Sequence, residues 1–180
     1  MSNANIKLDS SDTTKIPKAI YYVCSIQIFT TIIFAVMFSI LVLYMKQKLG
    51  FSSKKADLIT GVFMAYNFGL HLLSGMIAGR LLSYRSLLFL TIICQSVGCL
   101  FLVNINPTDF YIGLAVILTG TGLMVTCINM IVSQNFTAKD KRREKSFFLT
   151  YASMNLGFVI GFSLAGYFQT IDNFPMLFKI

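Results

Sequence analysis

Long apolar intervals separated by short charged clusters organise the chain. Uncharged sequence runs over 19–45, 58–79, 86–108, 110–138 and 146–171, with His71 the one ionisable interruption apart from thiols and phenols. A helix rises about 1.5 Å per residue, so about 20 residues cross a hydrocarbon core of about 30 Å. Each interval reaches that length. Only helices and closed barrels satisfy backbone groups in lipid, and these runs are too long for barrel strands and lack strict alternation. The pattern predicts an all-α membrane protein with five transmembrane helices, at about 19–45, 58–79, 86–106, 110–134 and 146–170. The start of a sixth is expected from 173, in NFPMLFKI. The polar stretch 1–15 lacks an apolar run of the kind a signal peptide needs and reads as a cytoplasmic tail, leaving 16–180 as the membrane domain. KQKLGFSSKKAD, RLLSYR, NINPTD and QNFTAKDKRREK supply the connections, with Pro107 expected to end the third helix.

Composition sharpens this picture. The 180 residues are 56% hydrophobic and 12% charged, with 17 Phe and 9 Met, and mean hydropathy is +0.72. A soluble domain carries about twice that share of charge, so lipid must be the solvent for the surplus apolar surface. The net charge of +8 does not point to nucleic acid, because the charges sit in short clusters between apolar spans. Trp is absent, which leaves Tyr to form any interfacial belt. Cys24, Cys94, Cys99 and Cys127 lie inside apolar runs without CxxC spacing, so they read as small apolar side chains rather than disulfides or metal ligands.

The basic clusters orient the chain. Placing the N-terminus in the cytoplasm puts ten of the fifteen Lys and Arg residues inside: Lys7, Lys15, Lys18, Arg80, Arg85 and the five between 139 and 145. Lys46, Lys48, Lys54 and Lys55 oppose this assignment. The charge run from Lys139 to Lys145 is then a cytoplasmic loop between helices four and five. It also places the sequon Asn135-Phe136-Thr137 inside, where glycosylation is not expected.

Polar residues inside spans are the candidates for chemistry, because lipid penalises them. Helix one carries Gln27, Thr30 and Thr31; helix two carries Thr60, Asn67, His71 and Ser74; helix four carries Thr119, Thr126, Asn129 and Ser133; helix five carries Tyr151 and Asn155. Gln27, Thr126, Tyr151 and Asn155 are expected to converge on one cavity. His71 reads either as a proton-linked group or as a neutral imidazole hydrogen-bonded to Asn67. Gly75/Gly79 and Gly157/Gly161 have the GxxxG spacing of closely packed helices. No paired intramembrane carboxylates, nucleophile–base set, phosphate loop or cofactor motif occurs, so binding or conduction is expected rather than bond-making.

Three stretches together resemble a known family. PKAIYYVCSIQIF with SILVLYMKQKLGFSSKKADLITGVF, then SGMIAGRLLSYR, then ILTGTGLMVTCINMIVSQNF with DKRREKSFFLTYASMNLG, are similar to the N-terminal half of the proton-dependent oligopeptide transporters, a branch of the major facilitator superfamily. The resemblance implies a six-helix bundle that moves small peptides or related solutes, coupled to protons, across the inner membrane. It marks Arg80, Arg142, Arg143 and Glu144 as the cytoplasmic linker motif and Asn155 as a contact in the peptide cavity.

The sequence also departs from the family. The family's helix-one motif, Glu-x-x-Glu-Arg-Phe-x-Tyr-Tyr, puts its acids and arginine on Gln27, Thr30 and Thr31, and its tyrosines on Phe34 and Ala35. A helix-four lysine that answers the peptide carboxylate falls on Val125, and the signature aspartate after helix two falls on Gly79. The resemblance further implies a C-terminal half that these residues do not include. The expected function is therefore a symporter-type transporter, or the N-terminal fragment of one. A non-transporting remnant that keeps only the scaffold, and a facilitator of another solute with coupling lost, are the competing readings. The expected partners are lipid and a small peptide or related solute with protons.

Overall fold

The computed structural model describes residues 15–77, 80, 82–171 and 176. Five helices follow in order: α1 (Lys18–Gln47), α2 (Ser53–Ile77), α3 (Tyr84–Val103), α4 (Pro107–Gln134) and α5 (Lys141–Thr170). Each is long and apolar enough to cross a membrane. The tail before residue 15, Gly79 and most of the expected sixth-helix start lie outside the described residues.

Helix ends follow local chemistry, and two depart from the sequence expectation. Pro107 does not end α3; it opens α4, because proline's missing N–H costs nothing at the first helical position. Asn106 caps that end, its side chain accepting from the Thr108 N–H at 3.0 Å. The charge run is not all loop either. Asp140 caps α5 by accepting from the Arg142 N–H at 2.9 Å, so 141–145 form the first turns of the helix. Between α1 and α2 the chain turns at Gly50, whose φ of +66° suits a residue without a Cβ.

Glycines let two helix pairs approach backbone to backbone. A Cβ on Gly157 would lie 2.8 Å from the Ile28 carbonyl oxygen, and one on Gly161 would lie 2.6 Å from the Ala35 Cβ, so α5 rests directly on α1. Between α3 and α4, a Cβ on Gly113 would meet the Gly98 carbonyl oxygen at 2.9 Å. Gly75, in contrast, faces open space, so its side of α2 does not make the close seam expected of a GxxxG pair.

The buried interior divides into layers. One apolar cluster joins the second half of α1, from Val36 to Met45, to Phe63, Leu102, Phe110, Leu114 and Phe168. A second joins Ile20 and Val23 to Leu87, Leu88 and the stretch of α4 from Leu123 to Val132. Between them lies a polar layer near the middle of the helices: Gln27, Thr30, Thr31, Asn67, Ser74 and Thr121 are all buried. Tyr21 and Tyr22 are exposed at the start of α1, and Tyr111 and Tyr167 at the start of α4 and the end of α5, so tyrosines flank the apolar surface at both ends.

Candidate functional site

The polar layer borders a cavity of about 170 Å³. Four helices line it: α1 with Gln27, Thr31 and Phe34, α2 with Asn67 and His71, α4 with Thr121, Met124 and Val125, and α5 with Met154 and Phe158. Most of the lining is apolar, with a few convergent amides and hydroxyls, as small-molecule sites usually are.

Each polar group is held by a neighbour. Gln27 donates through Nε2 to the Thr31 hydroxyl at 2.9 Å, one helical turn along α1. Thr30 turns its hydroxyl back to the Ile26 carbonyl at 2.8 Å and stands behind the lining. Across the α2–α4 seam, the Thr121 hydroxyl reaches Asn67 Oδ1 at 3.3 Å, and Asn67 Nδ2 lies 3.3 Å from His71 Nε2. One turn further on, the hydroxyls of Ser74 and Thr126 hydrogen-bond to each other. His71 Nδ1 is buried and makes no hydrogen bond of ordinary geometry among the described residues, although the Gly122 backbone lies beside the ring.

The bundle gathers only part of the expected set. Gln27 and Thr31 line the cavity with His71, whereas Thr126 is engaged in the seam beside it. Tyr151 and Asn155 lie apart from this lining, exposed on α5, with Asn155 Nδ2 donating to the Tyr151 carbonyl at 2.9 Å. The reason is helical phase. Gly157 is the residue that α5 turns to α1, and Asn155, two positions and about 200° away, faces the opposite side. Thr121 is a lining residue absent from the sequence-based set; its one available signal was Asn67, which needs a partner on a facing helix.

At the cytoplasmic end expected from the basic residues, the linker motif ties three elements together. Arg142 forms an ion pair with Asp140 at 2.8 Å and donates to the Lys15 carbonyl at 3.1 Å, ahead of α1. Arg143 donates to Ser133 Oγ at 3.0 Å, near the end of α4. Glu144 lies exposed in the first turn of α5, and Arg80 is exposed between α2 and α3. The Arg142 guanidinium and backbone N–H hold the Asp140 carboxyl below the usual carboxylate range. Among the described residues no cluster of His, Cys, Asp and Glu could hold a metal ion.

Comparison with known proteins gives the fold a context. A sequence model of the Major Facilitator Superfamily matches residues 23–180. Dipeptide and tripeptide permease B of Photorhabdus luminescens is 32% identical over 128 residues, which is 70% of this chain and 26% of that protein. The permease B of Salmonella typhimurium is 31% identical over the same shares. The chain thus spans about a quarter of the length of the curated relatives it matches. Among solved structures, a POT family transporter in complex with 5-aminolevulinic acid superposes with a TM-score of 0.86 at 24% identity, covering 91% of this chain and 35% of that one. A POT family transporter in complex with a thioalcohol-conjugated peptide gives 0.85 over the same shares. The five helices therefore have the arrangement of a peptide-transporter bundle, in a multi-pass membrane protein.

Proposed function

Because the chain belongs to the Major Facilitator Superfamily, we propose that it forms the N-terminal bundle of a peptide/proton symporter. Joined to a second bundle, it moves small peptides or related solutes across the inner membrane by alternating access, with its own N-terminus in the cytoplasm. The observation that carries this reading is the cavity near the middle of the bundle, lined by amides, hydroxyls and one imidazole. Gln27 and Thr31, backed by Thr30 and flanked by Thr126, offer donors and acceptors to a solute. Tyr151 and Asn155 face the second bundle. An exposed amide on a spanning helix is costly against hydrocarbon and is relieved by a protein or water partner there. His71 is the proton-linked group. Arg80, Arg142, Arg143 and Glu144 set the cytoplasmic ends of the helices.

The test is uptake of a labelled dipeptide into proteoliposomes under an inward proton gradient. Residues 1–180 joined to the remaining part of the Photorhabdus permease B are expected to accumulate the dipeptide, and residues 1–180 alone are not. An uncoupler should abolish the signal. Accumulation by 1–180 alone, or none by a well-folded joined protein, would overturn the proposal.

A further inference from the structure

The seam between α2 and α4 contains three groups whose hydrogen-bonding roles depend on one another. Asn67 stands between His71, one turn along α2, and Thr121 on α4. The side-chain amide has one accepting end and one donating end, and imidazole nitrogens donate or accept according to where the protons sit. Two patterns satisfy the same heavy-atom positions.

In the first, the Thr121 hydroxyl donates to Asn67 Oδ1 across 3.3 Å, and Asn67 Nδ2 donates to His71 Nε2 across 3.3 Å. The neutral imidazole then carries its hydrogen on Nδ1, beside the Gly122 backbone. In the second, the amide is rotated by half a turn. His71 Nε2–H donates to Oδ1, Nδ2 donates to the Thr121 oxygen, and the Thr121 hydroxyl donates to the Ile117 or Leu118 carbonyl, each 3.1 Å away. A doubly protonated imidazole is incompatible with the first pattern, because its Nε2–H would point at the amide N–H. It fits the second without moving a helix.

We propose that Asn67 is the positioning residue for a proton on His71: binding one proton at Nε2 rotates the Asn67 amide and redirects the Thr121 hydroxyl from α2 to its own helix. The balance is one proton taken up and no covalent bond between heavy atoms changed. The surroundings leave this charge to neutral dipoles. Facing the cavity are Gln27 and Thr31 from α1, Thr121 from α4 and Met154 from α5, and among the described residues no carboxylate, lysine or arginine lines it. Ser74 and Thr126 satisfy each other and hold the seam closed one turn away. The proton state of the ring is thereby written into which way the Asn67 amide points, with Nδ2 toward His71 in the first pattern and Oδ1 toward it in the second. This rests on the reading of His71 as the proton-linked group, and it concerns the 180 residues themselves rather than transport.

The experiment is nitrogen-15 NMR of the 180-residue chain in lipid nanodiscs, following the imidazole and the Asn67 side-chain amide from pH 8.5 to pH 4. In the neutral form the hydrogen is expected on Nδ1, the tautomer whose Nε2 accepts from Asn67 Nδ2 at the observed positions. The Asn67 amide signals are expected to shift with the same midpoint as the ring. Thr121→Val should remove the α4 partner of the Asn67 amide and shrink the shift of its signals through the titration, and Thr121→Ser should restore it; a merely structural seam would change stability but not that shift. A neutral ring protonated on Nε2 in the parent, an amide silent through the titration, or no titration of His71 down to pH 4 would each overturn the proposal. Any of these results leaves the dipeptide-uptake test to be decided on its own.

Discussion

The α1–α5 seam and the α2–α4 seam hold the bundle by different chemistry. Along α1–α5 the glycines rest on backbone and short side chains, Gly157 against the Ile28 carbonyl and Thr31, and Gly161 against the Ile32 backbone and the Ala35 methyl. No hydrogen bond links the two helices at these glycines, and the one hydroxyl there, on Thr31, is engaged by Gln27 on its own helix. Along α2–α4 the contact runs through side chains, Asn67 with Thr121 and Ser74 with Thr126, and these can exchange donor and acceptor. Lipid supplies no hydrophobic drive for helices to associate, so each seam depends on what its residues offer: close van der Waals fit in one case, polar pairing in the other. A cavity that must change state is better bordered by the second kind. Its wall on α1 can stay fixed by α5 while its wall on α2 and α4 responds.

This contrast predicts an order of effects. Gly161→Leu should be the most damaging, because the added side chain meets Ala35 and the Ile32 backbone with no room to turn aside. Overpacking of this kind costs roughly 1–3 kcal/mol or more. Denaturant unfolding in detergent should show it, and an unchanged midpoint would mean that the α1–α5 seam is looser than described. Ser74→Ala should cost less, about 0.6 kcal/mol, as interhelical hydrogen bonds in membranes do on average. A loss equal to that of Gly161→Leu would erase the distinction between the seams.

Effects at the charged end should be smaller still. Arg143→Ala removes the tie from α5 to Ser133, a partly exposed contact at the low end of the roughly 0–1 kcal/mol that surface contacts of charged groups contribute. It should lower the thermal midpoint slightly and leave cavity-directed labelling unchanged. The smallest effect expected is a pH dependence at Asp140. Its carboxyl is held below the unfolded value of about 3.9 by Arg142, so its contribution is fully present above that value. The contribution is lost as pH falls through the lower, folded value. Melts of Asp140→Asn should lack that loss, and a parallel decline in parent and variant would assign the acid sensitivity elsewhere.

Much of the architecture was legible in the sequence because the bilayer imposes it. Five uncharged intervals could become only helices, and their order fixed the bundle once Gly157 and Gly161 marked a close seam. The end positions were less legible. Pro107 at a helix start and Asp140 as a cap depend on which neighbouring backbone groups lack partners, and hydropathy does not report that. The site was half legible. Gln27, Thr31, Asn67 and His71 stood out as polar residues in spans. Thr121 did not, because it lies about 200° around α4 from Thr119, off the polar face drawn through Thr119 and Thr126. Tyr151 and Asn155 share a face of α5, yet which face turns to α1 is decided by Gly157, two residues beyond Asn155, and by Gly161 one turn further. Gln95 carries the same signal, a polar residue inside an apolar span, yet it is fully buried in α3 away from the cavity lining, without a hydrogen-bond partner for its amide among the described residues.

The central claim is that the cavity face of the bundle, and not its most exposed apolar surface, is the one that meets water and solute. Val125 lines the cavity at 39% exposure, whereas Leu100 on α3 is 67% exposed and lies outside the lining. With the four native cysteines replaced by alanine, Val125→Cys and Leu100→Cys should be treated in proteoliposomes with a membrane-impermeant thiol reagent. Faster reaction at Val125→Cys, despite its lower exposure, is the predicted result, with Leu100→Cys shielded by lipid. Equal rates, or faster reaction at Leu100→Cys, would contradict the account.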